Sequence, residues 1–243
     1  MTEELAVTVL GCSGSYPGPG GACSGYLVQG GGTSVWLDAG SGTLANLQRH
    51  VPLDGIDAVV ISHEHVDHWT DLEHLAVAYK WVVDRRGVPV YAQDSLYPLL
   101  RVGPAADVFD WRPIGDGSTV AIGALDFHFS QTDHSVPTLA SRVDCAGRAL
   151  AYSADTGPGW GFEVFGEGID LALCEATYLS DQEGNLPHLS ARQAGDLARR
   201  AGVDRLVITH QWSSTDPDAA RAEAAAAFGG PVEVARIGER YQV

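Results

Sequence analysis

The sequence predicts an α/β protein built as a four-layer αβ/βα sandwich, in a single domain spanning residues 1–243. Three observations predict it. Apolar runs of strand length recur along the chain, several too continuous to have a wet face. Segments with apolar residues at helical spacing stand between them. A strand-rich stretch followed by an alternating strand and helix stretch occurs twice. At 45% hydrophobic and 19% charged, 243 residues suffice for a large core.

Taken in order, "LAVTVL" reads as a first strand, and "GCSGSYPGPGGACSG", the densest Gly/Pro region, as a loop whose Gly11 to Gly21 part is mobile. It is not a phosphate-cradling P-loop, which needs a lysine after its glycines, because the only lysine is Lys80; dinucleotide-binding spacing is not met either. "GYLVQ" and "TSVWLDAG" read as strands, "TLANLQRH" as a helix and "DAVVIS" as a strand. Leu72, Leu75, Ala76 and Tyr79 recur at helical spacing, so a helix is expected within residues 69–83. In the second half, "ALDFHFSQTDH" alternates Leu125, Phe127 and Phe129 inward, and "RALAYSAD", "DRLVITH" and a final "PVEVARIG" read as strands. Helices "SARQAGDLARRAG" and "DPDAARAEAAAAFGG" complete the set, and the continuous strands are expected to have helices on both sides of their sheet.

Chemistry concentrates in "VVISHEHVDHWTDLEHL", where three of the nine histidines and an aspartate fall within six positions: His63, His65, Asp67 and His68. In H-x-H-x-D-H the first two histidines face one cation from a strand end, while the Asp and the last His face a second. Imidazole and carboxylate without thiolate suit Zn²⁺, and almost as well Mn²⁺ or Fe²⁺. Two ions need more donors. His134, Asp155 and His210, each at a strand end, would complete two sets, with the two oxygens of Asp155 as the bridge. A lone histidine is most often a packed or surface residue, and His50, His74 and His128 are read so. Four donors in six positions are not.

"SHEHVDH", with His134 in "TDHSVPT", Asp155 in "YSADTG" and His210 in "LVITH", resembles the metallo-β-lactamase superfamily, and within it the ribonuclease Z-like phosphodiesterase branch. The likeness runs from "VTVLGCSGSYPG" and "WLDAGSGTLANL" to "PVEVARIG", with five motifs in the family's order. It implies a metal-dependent hydrolase with the metallo-β-lactamase fold. His63, His65 and His134 would hold one metal and Asp67, His68 and His210 the other, bridged by Asp155. Its catalytic residues would be Asp67, as a ligand, and His188, in "LPHLSARQAG", as proton donor. Asp38, in "LDAG", matches the motif that supports a ligand from behind rather than binding metal. Glu175, in "CEATYLS", is expected to orient His188, with an ordinary strand-end acid as the alternative.

One departure narrows the substrate. Ribonuclease Z enzymes that grip tRNA carry a long arm between the third and fourth metal motifs, whereas about twenty residues separate His134 from Asp155 here. With a net charge of -16 and no basic patch, no stable nucleic-acid binding is expected, and the partner expected is a small phosphodiester such as a 3′,5′-cyclic nucleotide. The alternatives are a tRNA 3′ endonuclease of the ribonuclease Z type, or a lactonase, thioesterase or arylsulfatase-type hydrolase with the same two-metal centre; a non-catalytic metal-binding protein ranks below them. A flavo-diiron oxidoreductase would have Glu where this chain has His65. The start "MTEELAVTVLG" is acidic, and no apolar run approaches the ~18 residues of a membrane span, so no membrane association and a cytoplasmic location are expected. Cys12, Cys23, Cys145 and Cys174 are scattered and read as buried small residues. A symmetric homodimer is the oligomer to expect.

Overall fold

Strands buried along their whole length still have two distinct faces, because successive side chains point to opposite sides of a sheet. In β1 (Ala6–Gly11), β2 (Gly25–Gly30), β3 (Thr33–Ala39) and β4 (Ala58–Val60), one set of alternating residues, including Val7, Val9, Tyr26, Val28, Val35, Leu37 and Val60, enters a central core. The other set, including Leu10, Leu27, Trp36 and Val59, packs outward on α1 (Thr43–Leu47) and α2 (Asp71–Ala78) through Leu47, Leu72, Leu75 and Ala76. With β5 (Val88–Ala92), β6 (Phe109–Pro113), which follows the short α3 (Ala105–Val108), and the C-terminal β14 (Arg240–Gln242), these strands form a sheet of order β14-β1-β2-β3-β4-β5-β6. The computed structural model describes residues 4–100 and 105–243. The acidic first residues 1–3, part of the expectation about location, lie outside them.

The second sheet repeats the design. It comprises β7 (Thr119–Ile122), β8 (Leu125–Gln131), β9 (Leu139–Cys145), β10 (Arg148–Tyr152), β11 (Leu171–Glu175), β12 (Arg205–Thr209) and β13 (Val232–Val234), in the order β13-β12-β11-β10-β9-β8-β7. Phe127, Val143, Leu150, Leu171, Leu173 and Val207 meet the first sheet in the central core. Ala172, Cys174, Leu206 and Ile208 face α4 (Ala191–Arg200) and α5 (Pro217–Phe228). The four-layer αβ/βα sandwich is therefore as expected, with a correction: each sheet carries helices on one face only. Its other face is dry because the partner sheet covers it, which explains equally well why the strands read as continuously apolar. A second correction concerns the end of the chain, where "PVEVARIG" is followed by β14, which crosses to pair antiparallel with β1 in the other sheet.

Two parallel groups position the chemistry. β10, β11 and β12 run parallel in near register, so their C-terminal ends reach one edge of the sheet together; β3 and β4 do the same opposite, with Leu37 beside Val60. Among the described residues no helix is long and apolar enough to cross a membrane.

The helices α4 and α5 pack closely because Gly195 has no side chain: a Cβ there would lie 2.3 Å from the Ala224 carbonyl oxygen and 3.0 Å from the Ala227 Cβ. Gly195→Ala should therefore lower stability by about 1–3 kcal/mol through overpacking, although alanine is the better helix former by ~1 kcal/mol. Urea unfolding measures the sign; a stabilised variant would mean that α5 is free to shift.

Candidate metal centre

The histidine cluster divides where the backbone changes conformation. After β4 and His63, the chain is extended at His65 (φ −68°, ψ 139°), and the single turn Val66–His68 then rotates Asp67 and His68 to another direction. His134 follows β8, and Asp155 and His210 follow the parallel strands β10 and β12.

Two donor sets result. In one, His65 Nδ1 lies 3.1 Å from His63 Nε2 and 3.2 Å from His134 Nε2, and Asp155 Oδ2 lies 3.6 Å from His63 and 3.9 Å from His134. In the other, His68 Nε2 and His210 Nε2 are 3.4 Å apart, and Asp67 Oδ2 lies 3.5 Å from the first and 3.3 Å from the second. Asp155 Oδ1 lies 3.3 Å from both of these histidines. Each Asp155 oxygen thus belongs to a different set. The structure brings all seven proposed donors together.

The opposite ring nitrogens are held from behind. His68 Nδ1 meets Asp38 Oδ2 at 2.8 Å, and Asp38 also accepts from the Ser62 amide (2.7 Å) and hydroxyl (2.9 Å) and from the Tyr152 hydroxyl (2.9 Å). His134 Nδ1 donates to the Pro187 carbonyl at 3.0 Å. Because Asp38 and that carbonyl only accept, both rings carry their proton on Nδ1 and turn an Nε2 lone pair inward. Thr177 donates to Glu175 Oε2 at 2.8 Å, so its oxygen receives the His210 Nδ1 proton at 3.0 Å. The same reasoning then turns the His210 Nε2 lone pair toward that of His68.

These groups fit divalent cations on observations of this structure. Two lone pairs 3.4 Å apart repel unless a proton or a cation stands between them. Asp155 Oδ1 is buried with no hydrogen bond. Four carboxylates, Asp38, Asp67, Asp155 and Glu175, are buried here, and among the described residues none pairs with lysine or arginine. Spacings of 3.1–3.9 Å bracket the roughly 3.3 Å edge of a tetrahedron of donors at ~2.0–2.1 Å from zinc. The excess negative charge also governs protonation. Burial disfavours a charge on His68, yet Asp155, Asp67 and Asp38 push its pKa well above the imidazole range, so that a proton occupies Nε2 wherever a cation does not. Burial raises the pKa of Asp67, but His68 and His210 outweigh it and hold the carboxyl below the usual carboxylate range.

His188 stands against both sets, a ring nitrogen within 4.8 Å of donor atoms of Asp155 and His210. Its Nδ1 lies 3.0 Å from Glu175 Oε1 and 4.0 Å from Asp155 Oδ2, and its ring stacks on His210 at 5.4 Å. Burial works against its charged form, but Glu175 and Asp155 raise its pKa to about 9. Glu175 also accepts from the Thr156 and Leu189 amides, so it braces His188 directly and His210 through Thr177. Just after His188, Ser190 and Gln193 form a reciprocal cap that starts α4 and holds the chain in place.

The Gly11 to Gly21 loop, expected to be mobile, is tied down at its start. The Gly14 amide donates to the Gln211 carbonyl, the Gln211 amide to the Cys12 carbonyl, and the Ser15 amide to Asp67 Oδ2 at 2.7 Å. Sequence reasoning also missed Ser15, Ser62, Tyr152, Thr177 and the Pro187 carbonyl, which act through backbone groups or common hydroxyls and carry no motif. Of the cysteines, Cys23, Cys145 and Cys174 are buried and Cys12 is half-buried. His74 and His128 lie apart from the centre with exposed side chains, beside Asp71 and Asp144.

The family model described as the beta-lactamase superfamily domain matches residues 22–211. The chain belongs to the beta-lactamase superfamily. A relative in that superfamily is the probable metallo-hydrolase YhfI of Bacillus subtilis (strain 168), 32% identical over 243 residues that cover 96% of this chain and 98% of YhfI. The crystal structure of YhfI, a metallo-beta-lactamase fold protein, matches with a TM-score of 0.89 at 30% identity, covering 98% of this chain and 99% of that one. Ribonuclease Z of Methanopyrus kandleri is 29% identical over 279 residues, covering all of this chain and 99% of the relative. The short form of human tRNase Z shares the fold at a TM-score of 0.78, with 18% identity and coverage of 98% and 99%. The chain is accordingly a metallo-hydrolase of the superfamily with a metallo-β-lactamase fold and a His/Asp cluster suited to divalent metal.

Proposed function

We propose that the chain is a phosphodiesterase with a dinuclear zinc centre that hydrolyses a small phosphodiester such as a 3′,5′-cyclic nucleotide. The observation that carries this is the sharing of Asp155 between two donor sets with His188, on its own carboxylate, beside both. His63, His65, His134 and Asp155 would hold one ion, and Asp67, His68, His210 and Asp155 the other. When bound, the ions supply a water whose pKa falls from ~15.7 toward ~7 and positive charge for the phosphoryl oxygens. The remaining work belongs to the chain. Asp38, Thr177 and the Pro187 carbonyl keep lone pairs turned inward at His68, His210 and His134. Glu175 holds His188 through Nδ1, which leaves Nε2 to deliver a proton to the departing alkoxide. His134 and His210 pack against the ring and limit its rotation.

The ribonuclease Z relative favours phosphodiester chemistry and would also favour tRNA as substrate. The chain between His134 and Asp155 supports the smaller substrate: it is filled by β9 and β10, which pair as a hairpin within the sheet, so no arm projects. Without an arm there, and at a net charge of -16, a polynucleotide gains little binding energy beyond its scissile phosphate.

Metal analysis of the purified protein should find about two ions per chain. In a hydrolysis panel of cyclic nucleotides, bis(p-nitrophenyl) phosphate, a precursor tRNA, a lactone and a thioester, kcat/KM should be higher for a cyclic nucleotide than for the tRNA. Efficient, salt-tolerant cleavage of precursor tRNA alongside inert cyclic nucleotides would restore the endonuclease reading, and preferred turnover of the lactone or thioester would remove both.

A further inference from the structure

Among the described residues, large apolar side chains left in solvent include three that adjoin residues of the metal centre along the chain. Val66, 62% exposed, stands between His65 and Asp67. Leu186, 42% exposed, precedes His188 by two positions. Tyr16, 53% exposed, follows Ser15, whose amide donates to Asp67. Apolar surface at the rim of a site this rich in carboxylates serves none of the charged groups there, and it is where a flat apolar part of a ligand would lie.

We infer that Tyr16 is the platform on which the aromatic part of the substrate stacks, a nucleobase in the phosphodiesterase reading on which the identity of that part rests. The ring is exposed but not loose. Its amide donates to the Gly14 carbonyl at 2.7 Å, and its hydroxyl accepts from Ser213 Oγ at 3.3 Å. On either side, Trp212 Nε1 donates to Ser15 Oγ at 3.2 Å, and the Gly14 and Gln211 amides tie the loop to the segment that follows His210. A residue held at its backbone and at its hydroxyl, with the ring face in solvent, has less entropy to lose when a base covers it. Charge points the same way. In a chain of net charge -16 the long-range field repels a phosphodiester anion, so binding away from the phosphate has to come from contacts that charge does not oppose. Stacking on an aromatic ring is such a contact, and it changes affinity by roughly 5- to 150-fold per base.

The test is a binding ratio that needs no turnover. Zinc-loaded wild type, Tyr16→Ala and Tyr16→Phe are titrated calorimetrically with AMP and with ribose 5-phosphate, which carries a phosphate and a sugar but no base. Wild type should bind AMP at least about tenfold more tightly. Tyr16→Phe, which keeps the stacking face and loses only the Ser213 contact, should keep most of that ratio, and Tyr16→Ala should bring it close to one by weakening AMP alone, with zinc content unchanged in both. A ratio near one in wild type, including weak binding of both compounds, overturns the inference, as does a ratio that survives in Tyr16→Ala. Hydrolysis of cyclic nucleotides is read separately. If wild type hydrolyses none, the phosphodiesterase reading falls while the ratio still decides the role of Tyr16.

Discussion

Asp155→Ala should hold neither ion at the affinity of the wild type and should lose at least about 10⁴-fold in hydrolysis, because both donor sets depend on this one carboxylate. Its Oδ2 faces His63 and His134, and its Oδ1 faces His68 and His210. A loss of 10⁴ corresponds to roughly 5 kcal/mol, the scale of the charge stabilisation and water activation that a metal centre contributes. Asp67→Ala makes the comparison specific. Of the donor histidines Asp67 meets His68 and His210, both of its own set, so that variant should keep about one ion per chain, in the set of His63, His65 and His134. Metal content after dialysis, with circular dichroism to establish that each variant is folded, measures both. A fully metallated Asp155→Ala protein, or an Asp67→Ala protein that keeps two ions, would contradict the bridged arrangement.

His188→Ala should keep both metals and still slow hydrolysis by roughly 10²- to 10⁴-fold, the usual contribution of a positioned general acid. The structure separates the two roles. Nδ1 of His188 is engaged by Glu175 at 3.0 Å, and its approach to Asp155 is a looser 4.0 Å, so its removal leaves all seven donors in place. The deficit should shrink on bis(p-nitrophenyl) phosphate, since p-nitrophenolate leaves without needing a proton, whereas a ribose alkoxide does not. An equal deficit on both substrates, or loss of a metal, would remove His188 from proton transfer and return it to a packing role.

Legibility in the sequence followed the range of each interaction. The segment His63 to His68 was readable because four donors in six positions are a local pattern, and the change from extended chain to a tight turn divides them without help from the rest of the fold. Strands β2, β3, β8, β10 and β12 were readable from alternation or continuous apolar runs, and α4 and α5 from helical spacing. The side on which the helices lie was misread because burial under a helix and burial under a second sheet leave the same apolar residues. The ties of the Gly-rich loop were not legible because they are backbone amides: Gly14 to Gln211 and Ser15 to Asp67 depend on where the chain passes, not on which residues it carries.

By itself the sequence determined the fold class, the family motifs and the donor types, since periodicity and donor chemistry belong to residues and survive without coordinates. Only the tertiary structure decided that one carboxylate faces two sets, that Glu175 braces both His188 and His210, and that Tyr16 stands pinned and open at the rim. These depend on parallel strands ending at one edge and on loops meeting within hydrogen-bond distance, some more than a hundred residues apart, as where His210 meets Asp67. Hydrogen bonds and coordination act over about 3 Å, so their partners are chosen by packing geometry, and a linear pattern carries that geometry only where the residues are already neighbours.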